Sequence, residues 1–212
     1  MDPILRTALA SALLLGVSVG SVLGVRGRPT PYSPQAPPHP QKGPADAKIV
    51  IVEYSDFQCP ACRAALTSLK QLLDLYGKDT RVVFKHFPLE RPHPHARPAA
   101  RASECAGRQG KFWEYHDGLF ETQAGWGGHD QQADPKPAFT ALATKLKLDP
   151  AAFQACLADP AADQQVAADM TEGDRRWVQS TPTFFVNGRR FVGGLQLAKR
   201  GSLWIEKELK KP

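Results

Sequence analysis

"KIVIVEYSDFQCPACRAAL", residues 48–66, decides the fold. Ile49 to Tyr54 form a β-branched run bounded upstream by Pro44 and downstream by the polar pair Ser55-Asp56, the pattern of a short buried strand. A helix follows, because Cys62, Leu66, Leu69, Leu72, Leu73 and Tyr76 recur at intervals of three and four residues and Gly77 supplies a stop. Cys59 and Cys62 stand where strand gives way to helix. With Cys59 at the N-cap, Pro60 takes the first helical position, where its missing N–H costs nothing and its φ is already helical. Cys59 then faces unpaired amide hydrogens and the positive end of the helix dipole, which stabilise a thiolate. Each unit of lowered pKa favours the thiolate by about 1.4 kcal/mol. A stabilised thiolate stabilises the reduced form, so its disulfide is a stronger oxidant. Cys62, one turn on and on the apolar face, reads as the buried resolving partner.

Downstream, "TRVVFKHFPL" from Thr80 is a second strand ended by Pro88, and strand–helix–strand implies a parallel pair. From about residue 94 to 178 only helices are found. Phe112, Tyr115, Leu119 and Phe120 space one; Phe139, Leu142, Ala143 and Leu146 a second; Phe153, Cys156 and Leu157 a third; Val166, Met170 and Trp177 a fourth. "PTFFV" and "RRFVG" then flank Asn187-Gly188, a tight-hairpin signal, because both central positions of that turn need positive φ. "LAKRGSLWIEKELKK" closes the chain as a helix whose basic last turn complements its dipole.

Upstream, residues 7–25, "TALASALLLGVSVGSVLGV", carry no charge and lie between Arg6 and Arg26. They read as an export signal, either retained as a membrane anchor or cleaved after Val22-Leu23-Gly24, and either way the remainder is placed outside the cytoplasm, in the cell envelope or beyond. Residues 29–45 are proline-rich and without apolar periodicity, the composition of a semi-rigid spacer with a reach of roughly 50 Å. The expected organisation is therefore export signal or anchor (1–28), linker (29–45) and a working domain (46–212) with a helical insertion. The 27 basic and 21 acidic residues leave a formal charge of +6, but the cations are scattered apart from doublets such as Arg175-Arg176 and Arg189-Arg190. A nucleic-acid surface would show a concentrated stripe or a motif, so none is expected.

An exported chain tolerates disulfides, so its four cysteines read first as thiol chemistry. Structural zinc wants a second Cys-x-x-Cys half or paired histidines, and this chain has neither; His86, His93 and His95 lie in or beside a proline-broken loop, where exposed histidines are commonplace. No metal is expected. Four cysteines permit three pairings. Cys105 and Cys156, both among apolar helical positions of the insertion, read as a structural bridge, with a relay from Cys62 to Cys105 as the alternative. Closing that loop contributes roughly 4 kcal/mol on the chain-entropy account.

"CPAC" after a strand, an all-helical insertion and "STPTFFVNG" opening a hairpin together resemble the DsbA-like thiol-disulfide oxidoreductases, over about residues 45–212. The resemblance implies an α/β thioredoxin-like fold in which the insertion separates the second strand from the hairpin, and a cis Pro182 after Thr181 beside the active-site cysteines. It also implies a buried acid behind them at Glu53, with Lys85 on the second strand placed to pair with it and Asp56 as the competing carboxylate. Ala61 departs from the strongly oxidising members, which carry a histidine between the cysteines, and this removes one source of thiolate stabilisation. The implied activity is the donation of the Cys59–Cys62 disulfide to reduced, unfolded secreted polypeptides by a monomer that needs no cofactor. Re-oxidation falls to a quinone-linked membrane oxidase of the DsbB or vitamin K epoxide reductase type. The rival readings are a reductase or isomerase using the same centre and a tethered metal-binding module on the same fold.

Overall fold

A computed structural model describes residues 39–128 and 133–211. The export signal or anchor assigned to residues 7–25 and most of the proline-rich linker lie outside the described residues. None of the described helices is long and apolar enough to cross a membrane.

The chain runs β1 (Gln41–Lys42), β2 (Ile49–Ser55), α1 (Pro60–Tyr76), β3 (Thr80–His86), then a helical insertion of α2 (Ala96–Gly107), α3 (Phe112–Glu121), α4 (Gln123–Trp126), α5 (Lys136–Lys145), α6 (Pro150–Ala158) and α7 (Gln164–Arg175). It closes with β4 (Thr183–Val186), β5 (Arg189–Val192), α8 (Gly193–Gln196) and α9 (Ser202–Leu209), the last two joined through a π-helical turn at Leu197–Gly201. The sheet order is β1-β3-β2-β4-β5. Strands β2 and β3 are parallel, as the crossover through α1 between them allows, and the other pairings are antiparallel.

Alternation along β2 divides the core. Ile49 and Ile51 face α1, where Ala65, Leu69 and Leu72 meet them, while Val52 and Tyr54 face the other way with Val83, Phe87 and Phe185. Gly194 lets α8 approach α1 closely, since a Cβ there would lie 2.9 Å from the Cα of Ala65. Asn187 and Gly188 take φ of 45° and 81°, the left-handed pair that the hairpin demands.

One feature differs from the sequence expectation. The ordered fold starts upstream of residue 46, because Gln41 and Lys42 add an edge strand to β3 and Trp113 Nε1 donates to the Gln41 carbonyl at 3.1 Å. A two-residue strand leaves too short a pattern to be seen among prolines. The insertion opens with α2, an alanine-rich helix that buries Ala99, Ala102, Cys105 and Ala106. Small residues carry it into the core where large apolar spacing would otherwise mark a helix.

Candidate functional site

Cys59 is the N-cap of α1, with φ −74° and ψ 120°, and Pro60 follows at the first helical position. Both thiols are free, Cys59 with 7% of its surface exposed and Cys62 with none. The amides of Cys62 and Arg63 donate to the Cys59 carbonyl at 3.1 and 3.2 Å, closing the first turn. The Thr181–Pro182 bond is cis, and the Cys59 thiol donates to the Thr181 carbonyl at 3.5 Å. Gly193 N donates to the Pro182 carbonyl at 2.8 Å and so ties this loop to the end of β5. The hairpin thus holds the cis-proline loop against the helix that carries the cysteines.

The two thiols are driven apart electrostatically. Donation from the Cys62 thiol, outweighing burial and helped by the Cys62 and Ala61 amides and by the Thr181 side-chain hydroxyl, lowers the Cys59 pKa to about 6. Burial first, then the neighbouring Cys59, pushes Cys62 well above the ordinary thiol value. One cysteine is a thiolate at neutral pH and the other keeps its proton.

Glu53 lies behind them on β2, 1% exposed. Its cross-strand neighbours are Phe84 on β3 and Phe184 on β4, two rings that exclude water from its carboxyl. Burial raises its pKa to about 7, with Ser55 opposing. Ser55 also acts on Cys62, so one hydroxyl neighbours both proton carriers.

Lys85 does not pair with Glu53. It stands opposite Tyr54 in the register, so pleating sends it to the other face of the sheet. There Lys85 Nζ donates to Glu172, lies 3.1 Å from His39 Nε2 and 4.0 Å from Asp169 Oδ1, and Tyr54 OH donates to Glu172 at 2.8 Å. This buried network joins α7 and the His39 strap to β3. Asp56 is likewise occupied in structure, accepting from the amides of Gln58 at 2.7 Å and Leu89 at 2.9 Å and contacting His93 Nδ1 at 2.7 Å.

Two site residues, Gln123 and Gln58, went unread in the sequence. Gln123 on α4 donates through Nε2 to the carbonyls of Phe57 and Cys59 at 2.8 and 3.0 Å, bracing the active-site turn from the insertion. Gln58 accepts from the His95 amide at 2.7 Å. His93 contacts Asp56, and His86 and His95 are buried, so the histidines of this stretch are not the exposed loop residues expected. Residues separated by tens of positions leave no periodic or motif signal of such contacts. Among the described residues no three His, Cys, Asp or Glu side chains gather as a metal site would require.

Cys105 on α2 and Cys156 on α6 form a disulfide with Cα atoms 5.7 Å apart, stapling the insertion. Three large apolar side chains in the segments before and after the cis-proline and its hairpin are exposed: Trp177 at 74%, Val192 at 42% and Leu195 at 69%. Val192 pairs with Thr183, and the Trp177 carbonyl accepts from Arg190 at 3.0 Å.

Residues 35–206 match the family model described as thioredoxin. Among curated proteins, the chain is 40% identical over 156 residues to Na(+)/H(+) antiporter NhaA 1 of Salinispora arenicola, covering 74% of this chain and 22% of the antiporter. It is 39% identical over 152 residues to Na(+)/H(+) antiporter NhaA of Herminiimonas arsenicoxydans, covering 72% and 23%. The chain therefore spans under a quarter of the length of these relatives. Among solved structures, DsbA2 of Pseudomonas aeruginosa superposes with a TM-score of 0.63 at 28% identity, covering 82% of this chain and 97% of that one. Oxidised BdbD of Bacillus subtilis gives 0.69 at 26% identity, covering 82% and 94%. With a thioredoxin-type sheet, paired thiols at a helix N-terminus and these likenesses, the chain belongs to the thioredoxin family, among its DsbA-like thiol-disulfide oxidoreductases.

Proposed function

We propose that this domain works as an oxidant, passing the Cys59–Cys62 disulfide to reduced, unfolded polypeptides outside the cytoplasm. The observation that carries the reading is the opposed displacement of the two thiols, Cys59 down to about 6 and Cys62 up. A thiolate held by the end of α1 lowers the energy of the dithiol, so the disulfide gives up its oxidising equivalents readily.

A substrate thiolate attacks Cys59 Sγ, the Cys59–Cys62 bond breaks, and Cys62 leaves as a thiolate. Cys62 takes up a proton, for which Glu53 is the buried donor behind it. The cis Thr181–Pro182 loop, flanked by Trp177, Val192 and Leu195, is where an unfolded chain would lie in the mixed disulfide. The substrate's second thiolate then attacks its own mixed-disulfide sulfur and expels Cys59 as the better leaving group, because its thiolate is the more stable. The substrate ends with a disulfide and the enzyme with a dithiol.

Turnover needs an acceptor for those two electrons, and a quinone-linked membrane oxidase of the DsbB or vitamin K epoxide reductase type fits that requirement. A position at the membrane agrees with the uncharged residues 7–25 and with relatives named as antiporters. The deciding experiment equilibrates the domain with glutathione and quantifies its dithiol by alkylation and mass. A potential less negative than about −200 mV supports the oxidant; one near −270 mV, about thioredoxin's value, keeps the site and reverses the direction.

A further inference from the structure

Residue 61 is alanine, so the dipeptide between the cysteines brings no cation to the thiolate. A group able to carry that charge reaches the site by another route. His93 enters from the loop after β3, and its Nδ1 lies 2.7 Å from Asp56 Oδ2. Asp56 is the hub of the active-site turn: its amide contacts Cys62 Sγ at 3.4 Å, its carbonyl accepts from the Cys59 amide at 3.1 Å, and its other carboxylate oxygen accepts from the Gln58 amide.

The Asp56 side chain is fully buried, and the amides of Gln58 and Leu89 already satisfy it as an acceptor. What two neutral donors leave uncompensated is the charge. A bare buried carboxylate on the residue whose amide contacts Cys62 would oppose a second negative charge at the cysteines. The side chain of His93 is 18% exposed, so it can exchange its proton with solvent while resting on that carboxylate. Two charged groups of its own loop and helix are committed elsewhere, since Glu90 and Arg97 pair with one another and Arg97 with Asp163.

We propose that His93 is a positioning residue whose imidazolium, seated on Asp56, neutralises the carboxylate behind the active-site turn and stabilises the Cys59 thiolate, standing in for the histidine absent at position 61. This deepens the oxidant reading and rests on it. Asp56 raises the His93 pKa by hydrogen bond and charge, against burial, and Cys59 raises it further, so the imidazole and the thiol act on one another.

The first test measures the glutathione equilibrium of the full chain and of His93→Gln, which keeps a hydrogen-bond donor and loses the charge. A coupling of roughly 0.7–1 pKa unit between imidazolium and thiolate is worth roughly five- to tenfold. The equilibrium constant therefore shifts that much toward the disulfide, a potential about 20–30 mV more negative. The second test needs no variant: the imidazole proton of His93 is titrated by NMR in the oxidised and the reduced protein. Coupling is reciprocal, so the reduced protein, which carries the thiolate, shows the higher His93 pKa by roughly 0.7–1 unit. A His93→Gln equilibrium within twofold of wild type, or superimposable His93 titrations in the two redox states, overturns the role of His93. Failure of the wild-type pair to exchange with glutathione at all would instead overturn the redox reading of the site.

Discussion

Replacing Glu53 with glutamine removes one buried charge and almost no volume. Between Phe84 and Phe184 the carboxyl has a pKa of about 7 against an ordinary 4.5, so the folded protein keeps its proton where the unfolded chain has lost it. The sign follows: stability falls as pH rises from about 4.5 to about 7, because over that window the native state binds one more proton than the unfolded state. At about 1.4 kcal/mol per unit the loss is about 3 kcal/mol, all of it expressed above pH 7. Glu53→Gln mimics the protonated acid and escapes the loss. At pH 8 the variant is therefore more stable by about 3 kcal/mol, or roughly 6–12 °C in Tm for a domain of this size, and at pH 4 the two proteins coincide. Urea unfolding of the oxidised forms at both pH values reads this without interference from thiol titration. A variant equally stabilised at pH 4 and pH 8, or not stabilised at pH 8, refutes the assignment of burial as the cause. If Glu53 supplies the proton to Cys62 as proposed, stopped-flow thiol exchange of the same variant at pH 7 slows even as the protein becomes harder to unfold.

The thiolate absorbance of the reduced protein should titrate with a midpoint near pH 6, and that of Cys59→Ser should show no titration in this range. Cys62→Ser, whose Cys59 thiolate attacks a substrate disulfide and has no Cys62 to resolve the product, should accumulate mixed disulfides with a disulfide-bearing unfolded polypeptide on non-reducing gels, while Cys59→Ser forms none. Cys105→Ser opens a loop whose ends are 51 residues apart and should cost about 4 kcal/mol in denaturant unfolding, leaving the Cys59–Cys62 potential in place. Trp177→Ala should slow oxidation of an unfolded polypeptide while sparing exchange with glutathione, since only the polypeptide is large enough to reach that exposed ring.

Local pattern carried the active-site element a long way. Proline at the first helical position after Cys59 and the three-and-four spacing from Cys62 onward place a strand, an N-cap thiol and a buried partner within nineteen residues, since each depends only on backbone propensity and periodicity. The hairpin at Asn187-Gly188 was legible because left-handed φ at two successive positions selects those residues. Glu53 stood out by being acidic in an apolar strand, yet its partner was misread. Lys85 occupies the same kind of position on β3, and only the register, which sets Glu53 against Phe84 and Lys85 against Tyr54, shows that the two point to opposite faces.

By itself, then, the sequence determined the strand–helix–strand opening, the cysteine pair at the start of α1 and the hairpin, because these follow from interactions between residues close in the chain. Tertiary structure alone decided which side chains surround that pair. His93 on Asp56, Gln123 on the Cys59 carbonyl, Lys85 among His39, Asp169 and Glu172, and the β1 edge strand all join residues far apart in the chain. Their placement depends on strand register and on how the insertion packs over the sheet, neither of which any short segment encodes.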